Sequence, residues 1–419
     1  MTLQMGSILG TLIQAMAGVF IARLLQPELF GVYALAFSLA SLASIFMATG
    51  VGDGIISIVA GAHARGDKDT IADALGFLLK IASIIGMLVA LALVFLPFIS
   101  NILYHRYDIG LFAGIVVMAS IISNLLFSVS QVVFQAERRI AIATSLIFID
   151  LSVRWGLSLF LVFSGYKILG AAIGHFVGSI IVFSIVGFFW NKLLSKDSLI
   201  PSLGQIIQRA ITVNWRRFIR YSFWVALDRN VATLFSFLPI SMAGIYFISS
   251  DVAFYKISFG FTNLALSLLA PISIMLNIEF PRLREESLGK MRSSFLMVTF
   301  YSAIFSALLV ICAAVISPIA FEILYGESFM PSVKYTYGFI IYGVFNGLGV
   351  GLGPMWRALD KVKISILINT IVLAIGIPIG LYLLKHYGIW GGVAMVTAWF
   401  SVSHVASFVY LYNHLSDNK

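Results

Sequence analysis

Long apolar stretches follow one another along the whole chain, each closed by a short polar segment or one marked by glycine and proline. A helix rises 1.5 Å per residue, so about 20 apolar residues in a row cross a hydrocarbon layer of roughly 30 Å. The pattern predicts twelve such helices. Six fall at 3–25, 30–60, 75–99, 109–133, 141–163 and 168–190; six more fall at 221–247, 254–279, 294–318, 336–356, 365–384 and 390–412. The fold expected is all-α: a polytopic membrane protein of about 12 transmembrane helices in two pseudo-symmetric six-helix lobes. Residues 1–190 form the first lobe, 191–220 a cytoplasmic linker and 221–419 the second lobe.

The sharpest turn lies in residues 21–35, IARLLQPELFGVYAL, where Pro27 and Glu28 separate two apolar runs. A weak echo follows 222 residues later in residues 247–259, FISSDVAFYKISF: Tyr33 falls on Tyr255, Leu35 on Ile257 and Phe37 on Phe259. Ala136 likewise falls on Ala358, and Tyr166 and Gly170 fall on Tyr387 and Gly391 with a slip of one. The chain reads as built twice, with the transport path expected at the two hairpins. Because six is even, both halves enter the membrane in the same sense, so an axis along the membrane normal relates them.

Composition agrees with the pattern and adds orientation. Hydrophobic residues make up 60% of the 419 positions and charged residues 11%, against about a quarter charged in a soluble chain. The net charge of +9 is a topology signal rather than a nucleic-acid one. With the N-terminus inside, eighteen of the 27 Lys and Arg fall on the cytoplasmic side and six outside, which places both termini in the cytoplasm. The membrane expected is the cytoplasmic (inner) membrane. Cys312 is the only cysteine, so an intramolecular disulfide or cysteine-based metal cluster is excluded. Residues 1–25 lack a basic leader and a small-residue cleavage pattern and are read as a retained first helix.

Charges inside apolar spans are costly unless paired or facing water, and so mark candidate sites. Asp150 and Arg154 stand i,i+4 on the fifth predicted helix and can neutralise one another; a structural pair and a substrate role are both open. Asp228 and Arg229 are adjacent on the seventh and point about 100° apart. With Thr233 and Ser236, Arg229 makes a polar face, the best single candidate for a cavity. Lys80 sits near the inner end of the third helix, where it can snorkel. Asp53 lies in the run GVGDG, whose glycines Gly50, Gly52 and Gly54 predict a bend in the second helix; Pro271 marks the matching place in the second half. Glycine costs about 1 kcal/mol inside a helix and proline about 3.

Polar stripes complete the candidates: Gln4, Ser7, Thr11 and Gln14 on the first helix, Asn124, Ser128, Gln131 and Gln135 on the fourth, Asn263 and Ser267 on the eighth, and Tyr342 and Asn346 on the tenth. Such stripes suit either helix–helix hydrogen bonds or a wet path. His175 and His404 are isolated on apolar helices and read as packing residues. The chain contains no Walker A run, no H-E-x-x-H and no G-x-S-x-G elbow. Neither an enzyme nor a cofactor is expected.

The hairpin ARLLQPELFGVYAL, followed by a long helix ending in GVGDG, resembles the polysaccharide exporter and O-antigen flippase branch of the multidrug, oligosaccharidyl-lipid and polysaccharide exporter superfamily. Gln26 stands where that branch usually has glycine. The resemblance implies movement of a lipid-linked oligosaccharide, carried on a polyprenyl diphosphate, from the inner to the outer leaflet by alternating access. It also implies a cationic cavity between the lobes, for which Arg229, Arg154 and Lys80 are the candidate cations. A coupling ion, H+ or Na+, and action as a monomer are part of the same expectation; nucleic acid is not. An ion-coupled multidrug or metabolite exporter of the same superfamily is the alternative.

Overall fold

The computed structural model describes residues 2–47, 51–190 and 199–417, and the described elements are helices. In chain order they are α1 (Thr2–Ser44), α2 (Val51–Ala64), α3 (Lys68–Ala92), α4 (Leu96–Tyr104), α5 (Tyr107–Ala136), α6 (Ile140–Leu161), α7 (Lys167–Phe189) and α8 (Leu203–Thr212). The second part holds α9 (Arg216–Tyr246), α10 (Ser249–Leu266), α11 (Ala270–Glu286), α12 (Leu288–Leu324), α13 (Val333–Gly338), α14 (Ile340–Leu348), α15 (Leu352–Ala358) and α16 (Val362–Asp417). Seven helical stretches among the described residues are long and apolar enough to span a membrane, or eight if a pair bent by 50° at Phe339 counts as one span.

The long helices are interrupted, and each break has a physical cause. Inside α1, Gln26 leaves the helical region (φ 59°, ψ 169°). Pro27 disfavours the helical conformation in the residue before it and is well suited to start the next helix. The helix therefore breaks at Gln26, at the place where the sequence predicts a turn. The expected bend at Gly50–Gly54 begins earlier, in a 3-10 turn at Ile45–Met47; residues 48–50 lie outside the described residues. Gly52 and Gly54 are helical in α2, and Gly54 is there for packing, since a Cβ would come within about 3.1 Å of the Ser222 Cα.

Backbone features recur at the spacing of the sequence echo. A second 3-10 turn, Ser267–Leu269, begins 222 positions after Ile45 and is followed by Pro271 in the first turn of α11. Arg138 (φ 58°) and Asp360 (φ 61°) are left-handed residues, again 222 apart. They close matching turns, in which Arg139 N–H donates to Phe134 O and Lys361 N–H donates to Trp356 O. Lys167 (φ 50°, ψ −135°) and Gly388 (φ 60°, ψ −142°), 221 apart, share one rare conformation at the breaks between α6 and α7 and within α16. Glycine adopts it without a Cβ clash; lysine does not.

The chain forms two compact units, residues 1–25 with 35–234, and residues 26–34 with 235–419. In the first, Ile55, Leu75, Phe77, Val132, Ala143, Trp190, Ile206 and Phe218 are among the buried apolar residues of one core. In the second, the hairpin from α1 packs on the start of α10. Phe30 meets Phe329 edge-on, as Phe254 does, and the Ser328 hydroxyl donates to Gln26 Oε1 at 2.9 Å. A Cβ on Gly31 would lie 1.7 Å from the Ser249 carbonyl oxygen, so the two hairpins of the echo touch backbone to backbone. Gly31→Val is therefore expected to abolish accumulation of folded protein, whereas Gly18→Ala, with nothing within 4 Å, should be silent. Size-exclusion yield of a fluorescent fusion in mild detergent measures both.

The linker holds an element that the apolar pattern misses. Helix α8 opens with a capping box, in which Ser202 Oγ accepts from Gln205 N–H and Gln205 Oε1 accepts from Ser202 N–H. It lies against α3 so closely that a Cβ on Gly76 would come within 2.9 Å of the Ala210 nitrogen.

Candidate functional site

The chemistry of the first unit centres on α6 and α7. Gly174 and Gly178 let α7 approach α6: their Cβ atoms would lie 2.3 Å from the Ser158 Cα and 2.8 Å from the Arg154 Cα. Ser158 Oγ donates to Ala171 O at 2.9 Å and lies 2.5 Å from His175 Nδ1. The His175 ring is edge-on to Trp155 and Phe37. One turn below Ser158, Arg154 pairs with Asp150 through a hydrogen-bonded i,i+4 bridge. The Asp150 side chain is 5% exposed and that of Arg154 21%. Asp150 Oδ1 and Arg154 Nε have no further hydrogen-bond partner among the described residues. His175 is thus a packing residue with a hydroxyl neighbour, and the pair is a nearly dry dipole that carries unused acceptor and donor capacity.

Helix α9 presents Asp228 half-buried and Arg229 exposed. Thr233 turns its hydroxyl back to the Arg229 carbonyl at 3.1 Å, which accounts for one member of the predicted polar face. The neighbouring Asn230 donates to Ile45 O at 3.0 Å. That contact satisfies a carbonyl of the 3-10 turn and ties α9 to the break in the second span.

The remaining candidates scatter. Lys80 donates to Ile211 O at 3.2 Å and Val213 O at 3.3 Å. It is a cation at the carbonyl-rich end of α8, where the helix dipole favours it. Gln14 is exposed on α1. The side chains of Asp53, Gln4, Ser7 and Thr11 lie outside the described residues. On the fourth predicted span, Gln131 donates to Ala143 O at 2.9 Å and receives a bond from Gln135 at 3.3 Å, so Gln131 ties α5 to α6.

In the second unit Asn263 is part of a chain. Tyr342 donates from its hydroxyl to Asn263 Oδ1 at 2.7 Å, Asn346 donates to the Tyr342 oxygen at 3.1 Å, and Asn263 donates to Phe259 O at 3.0 Å. His404 Nδ1 lies 2.8 Å from Phe345 O, with Gly349 leaving room for its ring. Lys256 is the residue that the sequence reading passes over. By charge count it belongs with the outer-side bases, but α10 begins at Ser249, two turns earlier, and the half-buried ammonium sits 5.7 Å from the centre of the Phe237 ring. Its signal was its place in the repeat, directly after Tyr255, the counterpart of Tyr33.

The profile of the polysaccharide biosynthesis protein family matches residues 1–277, about two thirds of the chain. The chain belongs to that family. Comparison with curated proteins gives no match. Among solved structures, this family member is similar to an inward-facing multidrug resistance MATE family transporter of the MOP superfamily, at 16% identity, 97% coverage of this chain, 95% of that one and a TM-score of 0.78. It is similar to an outward-facing structure of such a transporter (16%, 99% and 95%, TM-score 0.67) and to a eukaryotic MATE transporter (15%, 97% and 98%, TM-score 0.66). The polysaccharide biosynthesis family member thus has a transporter's fold and is a multi-pass membrane protein.

Proposed function

We propose that this protein is a flippase that moves a lipid-linked oligosaccharide, carried on a polyprenyl diphosphate, from the cytoplasmic to the outer leaflet of the cytoplasmic membrane by alternating access. The observation that carries the proposal is the family match over residues 1–277 on a transporter fold. The cations on its helices support it: Arg229 exposed on α9, Lys256 half-buried on α10 and Arg154 on α6. In a low-dielectric setting a cation attracts a diphosphate far more strongly than in water. A proton or sodium gradient supplies the driving force in this reading.

Twelve spans in two six-helix lobes are part of the proposal. Three of the apolar stretches are broken by non-helical backbone, at Gln26, at Gly165–Lys167 and at Gly388, and in this reading each counts twice. The bent pair adds one, and so does α9, at 31 residues. The recurring backbone features at 221 and 222 residues support the duplication, and the basic loops support cytoplasmic termini.

The likeness to multidrug transporters favours a second reading, ion-coupled export of small molecules. One experiment separates the two. A strain lacking the gene is expected to trap lipid-linked oligosaccharide in the inner leaflet and lose surface glycan, with drug sensitivity unchanged. Normal glycan export together with hypersensitivity to organic cations would select the exporter reading instead.

A further inference from the structure

We propose that α8 is a membrane-surface helix: its outer face, with Ile207, Ile211 and the adjoining Trp215, is seated in the headgroup–acyl boundary of the bilayer. The proposal rests on the membrane class of the chain and not on what it transports.

The inner face of α8 is fixed by contacts within one unit. Ile206 is buried, Ala210 crosses Gly76 at backbone distance, and Arg209 pairs with both Asp69 and Asp73 of α3. Lys80 holds the C-terminal carbonyls. With that face consumed, two isoleucines one helical turn apart remain exposed, Ile207 at 56% and Ile211 at 77%. Trp215, in the turn that leads into α9, is 46% exposed, with the Arg216 guanidinium 6.0 Å from its ring centre. Gly204, Gln205, Gln208 and Thr212 occupy the other exposed positions of the helix. The result is an amphipathic helix with two apolar faces, of which the protein covers one.

The position on α3 says what covers the other. Asp69, Asp73, Gly76 and Lys80, which α8 meets, all lie in the N-terminal half of α3. Immediately beyond Lys80 the outer surface of α3 becomes apolar and exposed, at Ile84, Met87, Leu88 and Leu91. In a membrane protein that surface faces lipid, so α8 lies at the level where headgroups give way to acyl chains. An exposed tryptophan beside an arginine fits that level, because an indole prefers the interface and a guanidinium can reach the phosphates.

The test uses the full chain, spin-labelled at single cysteines in a Cys312→Ser background. Variants Ile211→Cys and Gln208→Cys are reconstituted in vesicles of three parts phosphatidylethanolamine to one part phosphatidylglycerol. The expected result is a reversal of accessibility: the label at 211 collides more with oxygen than with an aqueous nickel chelate, and the label at 208 does the opposite. Greater nickel than oxygen access at 211 would overturn the proposal. So would an immobilised label at 211 with short label-to-label distances between molecules, which would assign the face to a second copy of the chain. Both substitutions lie on exposed positions, so a folded protein is expected in each case, and monodisperse elution of the unlabelled variants in mild detergent serves as the control for it.

Discussion

Arg154→Ala is expected to cost about 3–5 kcal/mol of stability and most of the folded yield, and adding Asp150→Asn in the same chain is expected to restore much of it. The reason is the asymmetry between breaking a buried pair and removing it. Asp150 is almost wholly buried on α6, and Arg154 is its ion-pair partner among the described residues. Taking away the arginine strands a carboxylate in an apolar helix bundle, whereas the double variant leaves a neutral amide of ordinary cost beside an alanine. Gly178 packs on the Arg154 backbone, so the alanine removes a side chain but keeps the helix contact. Thermal unfolding in detergent, followed by a fluorescent fusion, reads the stability of the single and double variants. Export by the Asp150→Asn, Arg154→Ala double variant then assigns the role. Retained export is the outcome expected for a structural pair, and loss of export from a well-folded double variant would move the pair into the substrate path.

What the sequence makes legible here is what local chemistry controls. Pro27 dictates the break at Gln26, and an i,i+4 spacing brings Asp150 to Arg154; both follow from rules that act within a few residues. The internal echo was faint in residue identity and is plain in backbone angles, because Arg138 and Asp360 keep one turn conformation although their side chains share nothing. Conformation outlasts identity where the turn is what the fold needs.

Tertiary contacts account for what the sequence hides. The break in the second span starts at Ile45–Met47, three residues without glycine or proline, and a carbonyl there is satisfied by Asn230, 185 residues away. Helix α8 is short and amphipathic, too short to stand out as an apolar run in the linker around it. Its stability comes from Asp69, Asp73 and Lys80, more than 130 residues upstream. For the same reason Lys80 reads as a snorkelling cation until the carbonyls it serves are seen. Only the Ser202–Gln205 capping box was a local sign of the helix.

Arg229→Ala is expected to lower export roughly ten- to a hundredfold, as loss of a charged hydrogen-bonded contact to substrate would, with folded yield close to that of the parent. The structural half of this expectation is local. Arg229 is exposed, so its removal opens no cavity; the Thr233 hydroxyl bonds to the Arg229 main-chain carbonyl, which alanine retains; and Asn230 still reaches Ile45. The functional half follows from the chemistry of a diphosphate. A guanidinium binds it through two parallel hydrogen bonds, so Arg229→Lys should recover the charge but not the geometry and restore export only in part. Surface glycan and trapped lipid-linked intermediate in a complemented deletion strain give the readout. Full export by a well-accumulated Arg229→Ala protein would remove this residue from the path. The cationic role would then pass to Lys256, which stands over an aromatic ring in the second unit, and Lys256→Gln would become the decisive substitution.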